Sequence, residues 1–579
     1  MPALERLARE SIVFEETVTV APLTLPAHAS LLTGLYPPRH GVRDNHLFSL
    51  GADVPTFTQA FADAGYATGA FVSSGVLNRR YGLARGFKVY DDDTGPLERP
   101  APDTLAAAER WLATAPRPVF AWIHLFEPHA PYKTGTYDSE VTAADTALGG
   151  FLDRLRAGAS WPTTIVSVTS DHGESLGEHG EKTHGFFVYD STLLVPWVTR
   201  VPGRAAVLMS AQARLVDVLP TLAAFAGVAA PTGRTIDGVS FLPVLNGTHP
   251  QGDRFPALEA YSETFLPRHQ FGWSELRSLR MGGHVKFIAA PTPEIYELSS
   301  DPAEARNVAA SRPDLTRSMT HQLAALERAA SAPAARVSDP VLAEQFMALG
   351  YIAGSADTTG SAAAGADPKD KIRVYQLTMD ALESSEAGRA GEALAMLADA
   401  ERLDATAAQV PFLRGVVLGN VGRFAEAARA LKRAVALNPR HVLARFKLAL
   451  AYVRIGQSDE AQTVLESVLR DEPGNARALH NLAAIAYTKG DLDRAAALEQ
   501  KAIGIDANYA EAWNTLGAIE ILRKQPERAV TALERATAVD PRNAQAFRNL
   551  GIALRAAGDA PGAERASRRA CELNAQLCP

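Results

Sequence analysis

Cysteine is almost missing from this chain: there are two in 579 residues, Cys571 and Cys578, both at the far C-terminal end. That excludes a disulfide framework, and two thiols alone make a poor metal site, so the pair reads as incidental. Long apolar runs are missing too, since no uninterrupted stretch reaches the ~20 residues that a membrane-spanning helix needs. The opening MPALERLARE is charged and helical, without the apolar core of a secretory signal. No membrane anchor is visible in the chain, and its localisation is unknown from the sequence. Nor is there any excess of positive charge. The formal net charge is −7 and the basic residues are scattered, which leaves no footprint for a nucleic-acid partner. What remains, 47% hydrophobic and 21% charged residues, is ordinary for a globular protein, and the length points to more than one domain at ~150 residues each.

The C-terminal part is built on a period. Gly422, Gly456, Gly490 and Gly558 stand 34 residues or a multiple of 34 apart, Lys524 fills the intervening slot, and Gly388 extends the series backwards. Ala393, Ala427, Ala461, Ala495, Ala529 and Ala563 keep the same step, as do the small residues Ala381, Gly415, Ala449, Ala483, Gly517 and Gly551. Each unit reads as helix, turn, helix. The small residues let paired helices approach, and the glycine ends the first helix where positive φ is needed. Pro439, Pro473 and Pro541 then break the chain before the next unit. Six units fill residues 371–579, with Ala405 and Ala507 departing at proline slots and Lys524 at a glycine slot. The pattern resembles the tetratricopeptide repeat (TPR). That implies an all-α solenoid whose concave groove takes a protein or peptide partner, or else a spacer or dimerisation surface.

Residues 331–370 are rich in Ala, Ser, Gly and Asp, and GSADTTGSAAAGADPKD reads as a flexible linker. Just before it, PVLAEQFMALGYI reads as a short amphipathic piece that packs back on a domain.

Residues 1–330 alternate apolar strands with helical stretches. VFAWIHLF (119–126) and TTIVSVTS (163–170) are near-continuous apolar or β-branched runs, expected in the middle of a sheet covered on both faces. Ligands gather beyond the carboxyl ends of such strands. Here the first run leads into EPHAPY and the second into DHGESLGEHGEKTHG. In the latter, Asp171 and His172 sit side by side, with His179 and His184 further along. Carboxylate plus imidazole suits zinc, manganese or a similar divalent ion. An Asp beside a His in a glycine-rich loop is also a common turn, so the motif needs company. That company is Thr24-Leu-Pro-Ala-His28-Ala-Ser-Leu-Leu-Thr-Gly34, which continues through Tyr36-Pro-Pro-Arg-His-Gly41 to Asn45.

This segment resembles the sulfatase signature, in which a nucleophile is followed by x-P-S-R-x-x-L-L-T-G. WIHLFEPHAPY, DHGESLGEHG, YGLARGFKVYDDD and GWSELRSLRMGGHVKFIAAPTPEIYELSSDPAEARN resemble the same family, so the likeness covers nearly all of residues 1–310. The resemblance is to the alkaline-phosphatase-like sulfatase superfamily. It implies an α/β domain with a helix-covered central sheet, and a nucleophile held on a divalent metal ion (zinc, manganese or calcium) that attacks an ester substrate. Carried over by position, Thr24 is the nucleophile and Asn45 hydrogen-bonds the transferring group. Asp171 and His172 are metal ligands together with Thr24, and His184 matches the second histidine of Thr-nucleophile phosphotransferases. His129 matches a histidine that contacts the bound anion or a second metal, and His124 is either a substrate contact or a hydrogen-bonded strand residue. His28 stands where sulfatases place an arginine and either serves catalysis or only packs. Thr24 and Ser30 could instead cap their helix. His40 and His179 read as loop structure, and Asp91, Asp92 and Asp93 as a solvated turn.

Two departures from the family pattern matter. Sulfatases of this superfamily use a formylglycine made from Cys or Ser inside a motif that needs an Arg. A threonine would give a ketone rather than the aldehyde, and His28 replaces the Arg. The expectation is therefore a phosphoester hydrolase or transferase working through a covalent phosphothreonine. The alternatives are a sulfatase acting without formylglycine, or a degenerate hydrolase domain serving as a TPR scaffold. Secondly, the family opens with an apolar strand ending in Asp, and MPALERLARESIVF resembles the helix that follows it. The expectation is a domain without its first strand, its sheet short of a central member and its site short of a carboxylate.

Overall fold

The computed structural model describes residues 1–45, 47–95, 98–247, 258–328, 335–336 and 365–578. The chain divides into two compact units, Met1–Val337 with Ala343–Asp380, and Ser338–Leu342 with Ala381–Pro579.

In the first unit, strands β1 (Ile12–Val18), β2 (Ala67–Phe71), β3 (Val89–Asp91), β4 (Val119–Ile123), β5 (Val166–Thr169), β6 (Leu194–Arg200), β7 (Val207–Met209) and β8 (Ala213–Arg214) form two sheets. One runs β5-β6-β1-β7, with β8 also beside β1. Its β6 is antiparallel to both neighbours, whereas β1 runs parallel to β7 and β8. The other is the parallel sheet β3-β2-β4. A separate antiparallel meander joins β9 (Glu259–Thr264), β10 (Leu276–Met281), β11 (Val285–Ala289) and β12 (Glu294–Glu297).

The expectation for β4 and β5 needs correcting. Both read from sequence as interior strands, yet among the described residues each pairs on one side only, β4 with β2 and β5 with β6. Most of their residues are only half-buried. The reason is that no described strand lies between them, although Ile123 of β4 and Val166 and Val168 of β5 meet in one apolar cluster. Leu4 and Leu7 of helix α1 (Pro2–Ala8), Leu105 of α3 (Ala101–Leu112) and Phe151 and Leu152 of α4 (Tyr137–Ala157) complete that cluster.

Local chemistry fixes these helices. Asp145 on α4 accepts from the backbone N–H groups of Ala3 and Leu4 at 2.9 and 3.0 Å. Its carboxylate thus caps the start of α1, where orphan donors and the helix dipole favour an anion. Helix α4 itself opens on a capping box between Thr136 and Ser139. A second cluster holds α2 (Thr24–Thr33) and α5 (Val218–Ala226) against β1 and β6. There Phe14 stacks on Trp197 at 3.9 Å and meets Phe241 edge-on at 4.9 Å, each such ring pair adding about 0.5–1.5 kcal/mol beyond area burial. Helix α6 (Pro313–Arg328) buries Met319 and Leu323.

Of the linker, residues 365–370 lie against the first unit: Asp367 accepts from Thr292 N at 2.9 Å, and Lys369 Nζ donates to Thr292 O at 2.8 Å. PVLAEQFMALGYI lies outside the described residues.

The helices that follow are α7 (Ile372–Glu386), α8 (Ala390–Leu403), α9 (Gln409–Asn420), α10 (Phe424–Leu437), α11 (Val442–Arg454), α12 (Ser458–Asp471), α13 (Ala476–Thr488), α14 (Leu492–Ile505), α15 (Ala510–Leu522), α16 (Pro526–Val539), α17 (Ala544–Ala556) and α18 (Ala560–Leu573). From α8 to α18 each helix packs on the next, and the unit boundary falls within α7, after Asp380. Gly388, Gly422, Gly456, Gly490 and Gly558 all take positive φ between the paired helices, at 76°, 77°, 79°, 79° and 89°. Lys524 adopts the same left-handed conformation, at 57°. The small-residue position has an equally direct cause. A Cβ on Gly415 would lie 2.4 Å from Leu431 Cγ, and one on Gly517 would lie 2.4 Å from Leu533 Cγ. At the far end the reading of the cysteines as incidental gives way to a bonded pair, Cys571–Cys578, with Cα atoms 4.7 Å apart. The turn Ala575–Leu577 folds the chain back to bring them together. Among the described residues no helix is long and apolar enough to cross a membrane.

Candidate active site

Helix α2 starts at Thr24 after an extended Leu23. Thr24 is 5% exposed, and its hydroxyl faces His172 Nε2 rather than capping its own helix. Asn45 does that work instead, its Oδ1 accepting from Leu25 N at 2.8 Å. The Asn45 Nδ2 is buried and has no hydrogen-bond partner among the described residues, which leaves a donor to spare. Ser30 bonds His40 Nε2 at 2.8 Å, and Val42 N donates to His40 Nδ1 at 3.1 Å, so both serve the loop that leads to Asn45. Asp44, next to Asn45, pairs with buried His269 at 3.0 Å.

The loop after β5 brings the remaining groups to Thr24. Thr19 donates to the Asp171 carbonyl and Gly173 N to Thr192 O at 2.8 Å, which fixes the strand exit. A Cβ on Gly173 would sit 2.6 Å from Ser191 O, so only glycine fits there. His172 Nε2 then lies 3.3 Å from Thr24 Oγ1 and 3.5 Å from Asp171 Oδ2. The ring of His184 stands 4.2 Å from that of His172, and the ring of His129 stands 5.0 Å from that of His184. A cavity of about 90 Å³ is lined by Thr24, His124, His129, Asp171, His172 and Glu174, among others.

Hydrogen-bond partners fix the tautomers. A carbonyl or carboxylate oxygen can only accept, so an imidazole nitrogen facing one must carry the proton. Nδ1 of His172 faces Gly173 O at 3.0 Å, that of His28 faces Thr24 O at 2.9 Å, and that of His129 faces Ala130 O. His184 Nδ1 faces Glu174 Oε2 at 2.8 Å. Each of these rings, when neutral, therefore carries its proton on Nδ1 and its lone pair on Nε2, the form in which histidine binds metal ions. His124 is the reverse case. Its Nδ1 accepts from Ser73 N at 3.4 Å, which leaves the proton on Nε2 and makes the ring a donor. The ligand atoms of His28, His124 and Asp171 lie within 4.8 Å of one another. The tautomer of His124 suits donation to an oxyanion better than a place in that trio.

The charges follow from burial. Desolvation drives His124 and His129 down to about 3 and lowers His172 as well. Burial also opposes the Asp171 charge, but His172 and His28 beside it hold the carboxyl well below its usual range. Burial likewise opposes a charged His184, and the Glu174 carboxylate outweighs it and raises the pKa. An ionised carboxylate beside imidazoles and a hydroxyl is a donor set that can hold a divalent metal ion.

Thr24, His124, His129, Asp171 and His172 thus line one cavity, His28 and His184 touch Asp171 and Glu174 of its wall, and Asn45 reaches only the backbone of Leu25, next to Thr24. Glu174, which orients His184, was missed. Its signal was an acid three residues after Asp171, in a loop already expected to carry ligands. The aspartates at 91–93 behave as a turn. Asp91 pairs with Arg99 and Asp92 with Arg79.

Comparison with known proteins bears on both units. Residues 1–228 match the sulfatase family model, and residues 421–485, 456–519 and 523–577 match tetratricopeptide repeat models. An ulvan-active sulfatase of Formosa agariphila is 25% identical over 317 residues, covering 44% of this chain and 61% of that protein. Arylsulfatase K of Bos taurus is 30% identical over 195 residues, covering 32% of this chain and 35% of that protein. The chain thus spans between 35% and 61% of the length of these two curated relatives. A phosphonate monoester hydrolase of Agrobacterium radiobacter aligns with a TM-score of 0.48 and 20% identity, over 56% of this chain and 90% of that one.

Proposed function

We propose that this chain, a sulfatase-family domain followed by tetratricopeptide repeats, hydrolyses or transfers phosphoesters through Thr24. The observation that carries the reading is Thr24 Oγ1 at 3.3 Å from His172 Nε2, on the first turn of α2. A divalent ion held by Asp171, His172, Thr24 and His184 would lower the hydroxyl pKa and neutralise charge on the ester's non-bridging oxygens. The chain's own groups supply the rest. The α2 N-terminus favours a developing alkoxide at Thr24. Asn45 Nδ2 and His124 Nε2–H donate to the oxygens of the transferring group, and Glu174 keeps His184 in its tautomer. In-line attack by Oγ1 expels the alcohol and leaves a phosphothreonine, which water or an acceptor alcohol then resolves.

A second reading has support from the curated relatives, which are named as sulfatases. In it the same site cleaves sulfate esters without a formylglycine. Turnover of a phosphodiester and of an aryl sulfate with the same leaving group, under matched metal, separates the two. Faster phosphodiester cleavage supports the Thr24 reading, and a clear sulfate preference overturns it. The repeats would select a protein or peptide partner in their groove.

A further inference from the structure

The loop from Gly173 to Phe187 is tied together near its mouth by Glu174–His184 and by Ser175 N to Thr183 O at 2.8 Å. Its far end, from His179 to Lys182, and its exit at Phe186 are held in part by His179 stacked on Tyr189 with ring centroids 3.6 Å apart and by Thr264 donating to Gly185 O, and both take further support. That support comes from residues 372–380, which the sequence reads as the opening of the repeat array and which cluster with the first unit. Tyr375, 5% exposed, stacks on Phe186 with ring centroids 4.3 Å apart and planes 17° from parallel. It also meets Phe271 edge-on at 6.1 Å. Gln376 Nε2 donates to Gly180 O. Lys182 pairs with Asp380 at 2.8 Å, although exposed pairs of this kind add little. Between the two contacts, Glu181 accepts from Phe186 N at 2.7 Å and Phe187 N at 3.2 Å, which links them across the loop.

The repeat register identifies these residues as special. In steps of 34, the position of Tyr375 is taken by Gln409, Leu443, Arg477, Glu511 and Gln545, none of them aromatic. The position of Gln376 is taken by Val410, Ala444, Ala478, Ala512 and Ala546, none of them able to donate from a side chain. The first helix thus breaks the pattern at the two places that touch the loop.

We propose that Tyr375 and Gln376 are positioning residues that hold the His184-bearing loop in its working geometry. The inference rests on the reading of that loop as catalytic. Phe186 lies two residues from His184, so a shift of its ring moves the imidazole. A displacement of the order of 1 Å costs up to about a hundredfold in rate.

The test uses the full chain with Tyr375→Ala, Tyr375→Phe and Gln376→Ala. Hydrogen exchange over residues 174–187 and steady-state kcat and KM are measured side by side. The expected result is faster exchange confined to 174–187 in both alanine variants. With it come a kcat lower by roughly ten- to a hundredfold and a KM within about twofold, as expected when the interaction lost is made mainly in the transition state. Tyr375→Phe keeps the stacking and restores both. Gln376→Ala removes one hydrogen bond and no core packing, so it carries the test if Tyr375→Ala fails to fold. Unchanged exchange in folded alanine variants overturns the proposal. If the wild-type chain turns over no ester, the exchange data still decide the brace, and only the proposed activity fails.

Discussion

Thr24 Oγ1 and His172 Nε2 face each other at 3.3 Å across the junction of α2 and the loop after β5. Because His172 Nδ1 is committed to Gly173 O, the facing nitrogen is the one with the lone pair. Thr24→Ala is therefore expected to lower kcat by at least about 10³-fold. The thermal midpoint should stay close to wild type, since the hydroxyl caps nothing. Thr24→Ser keeps the oxygen and should retain measurable turnover. Retained activity in the alanine variant would return Thr24 to a packing role.

Glu174 pairs with His184 at 2.8 Å, and both side chains are 4% exposed. Removing a carboxylate that orients a ligand imidazole weakens metal binding by about 10–100-fold. Glu174→Gln should do this in a zinc or manganese titration followed by calorimetry, whereas Asp171→Ala should abolish stoichiometric binding. Equal affinities in wild type and both variants would place the ion elsewhere.

His40 is buried and pushed down to about 3 by desolvation, with Arg43 adding repulsion. Its folded-state pKa lies below the ordinary value of 6.5, so the unfolded chain binds the extra proton. The stability it supports is complete above pH 6.5 and is lost as pH falls toward 3. His40→Asn should flatten the decline in urea stability across that window. An unchanged slope would mean that His40 titrates normally in the folded chain.

Lys524 takes φ 57° where its counterparts are glycines. A side chain in the left-handed region costs roughly 1–2 kcal/mol, partly offset by the greater freedom glycine has when unfolded. Lys524→Gly should stabilise the repeats by about 1 kcal/mol, read from urea unfolding of the chain. Destabilisation would show that the Lys524 side chain makes a contact worth more than its strain.

Much of this was legible in advance, for reasons that differ by region. The repeats declared themselves because one geometric demand, positive φ after the first helix, recurs at a fixed step. The closeness of Thr24, His28, Asp171 and His172 was legible because short motifs at strand ends fix their neighbours locally: Thr24 with His28 is one helical turn, and Asp171 with His172 is one strand exit. The strand positions were not, because an apolar run such as VFAWI reports the burial it suits and says nothing of which partners stand beside it. Glu174 and Tyr375 were missed for a related reason. An acid in a glycine-rich loop, or an aromatic in a helix, gains its role only from what the fold sets opposite it.

The bond between Cys571 and Cys578 closes a ring of eight residues around the last helical turn. A ring so short and so close to the terminus restricts only the final turn in the unfolded chain, so the rest of the array gains nothing from it. Cys578 is exposed, open to any small thiol in its surroundings. The oxidation state of this end is then set by the redox poise of the compartment, and a mass shift of two hydrogens in its terminal peptide would record where the chain had been.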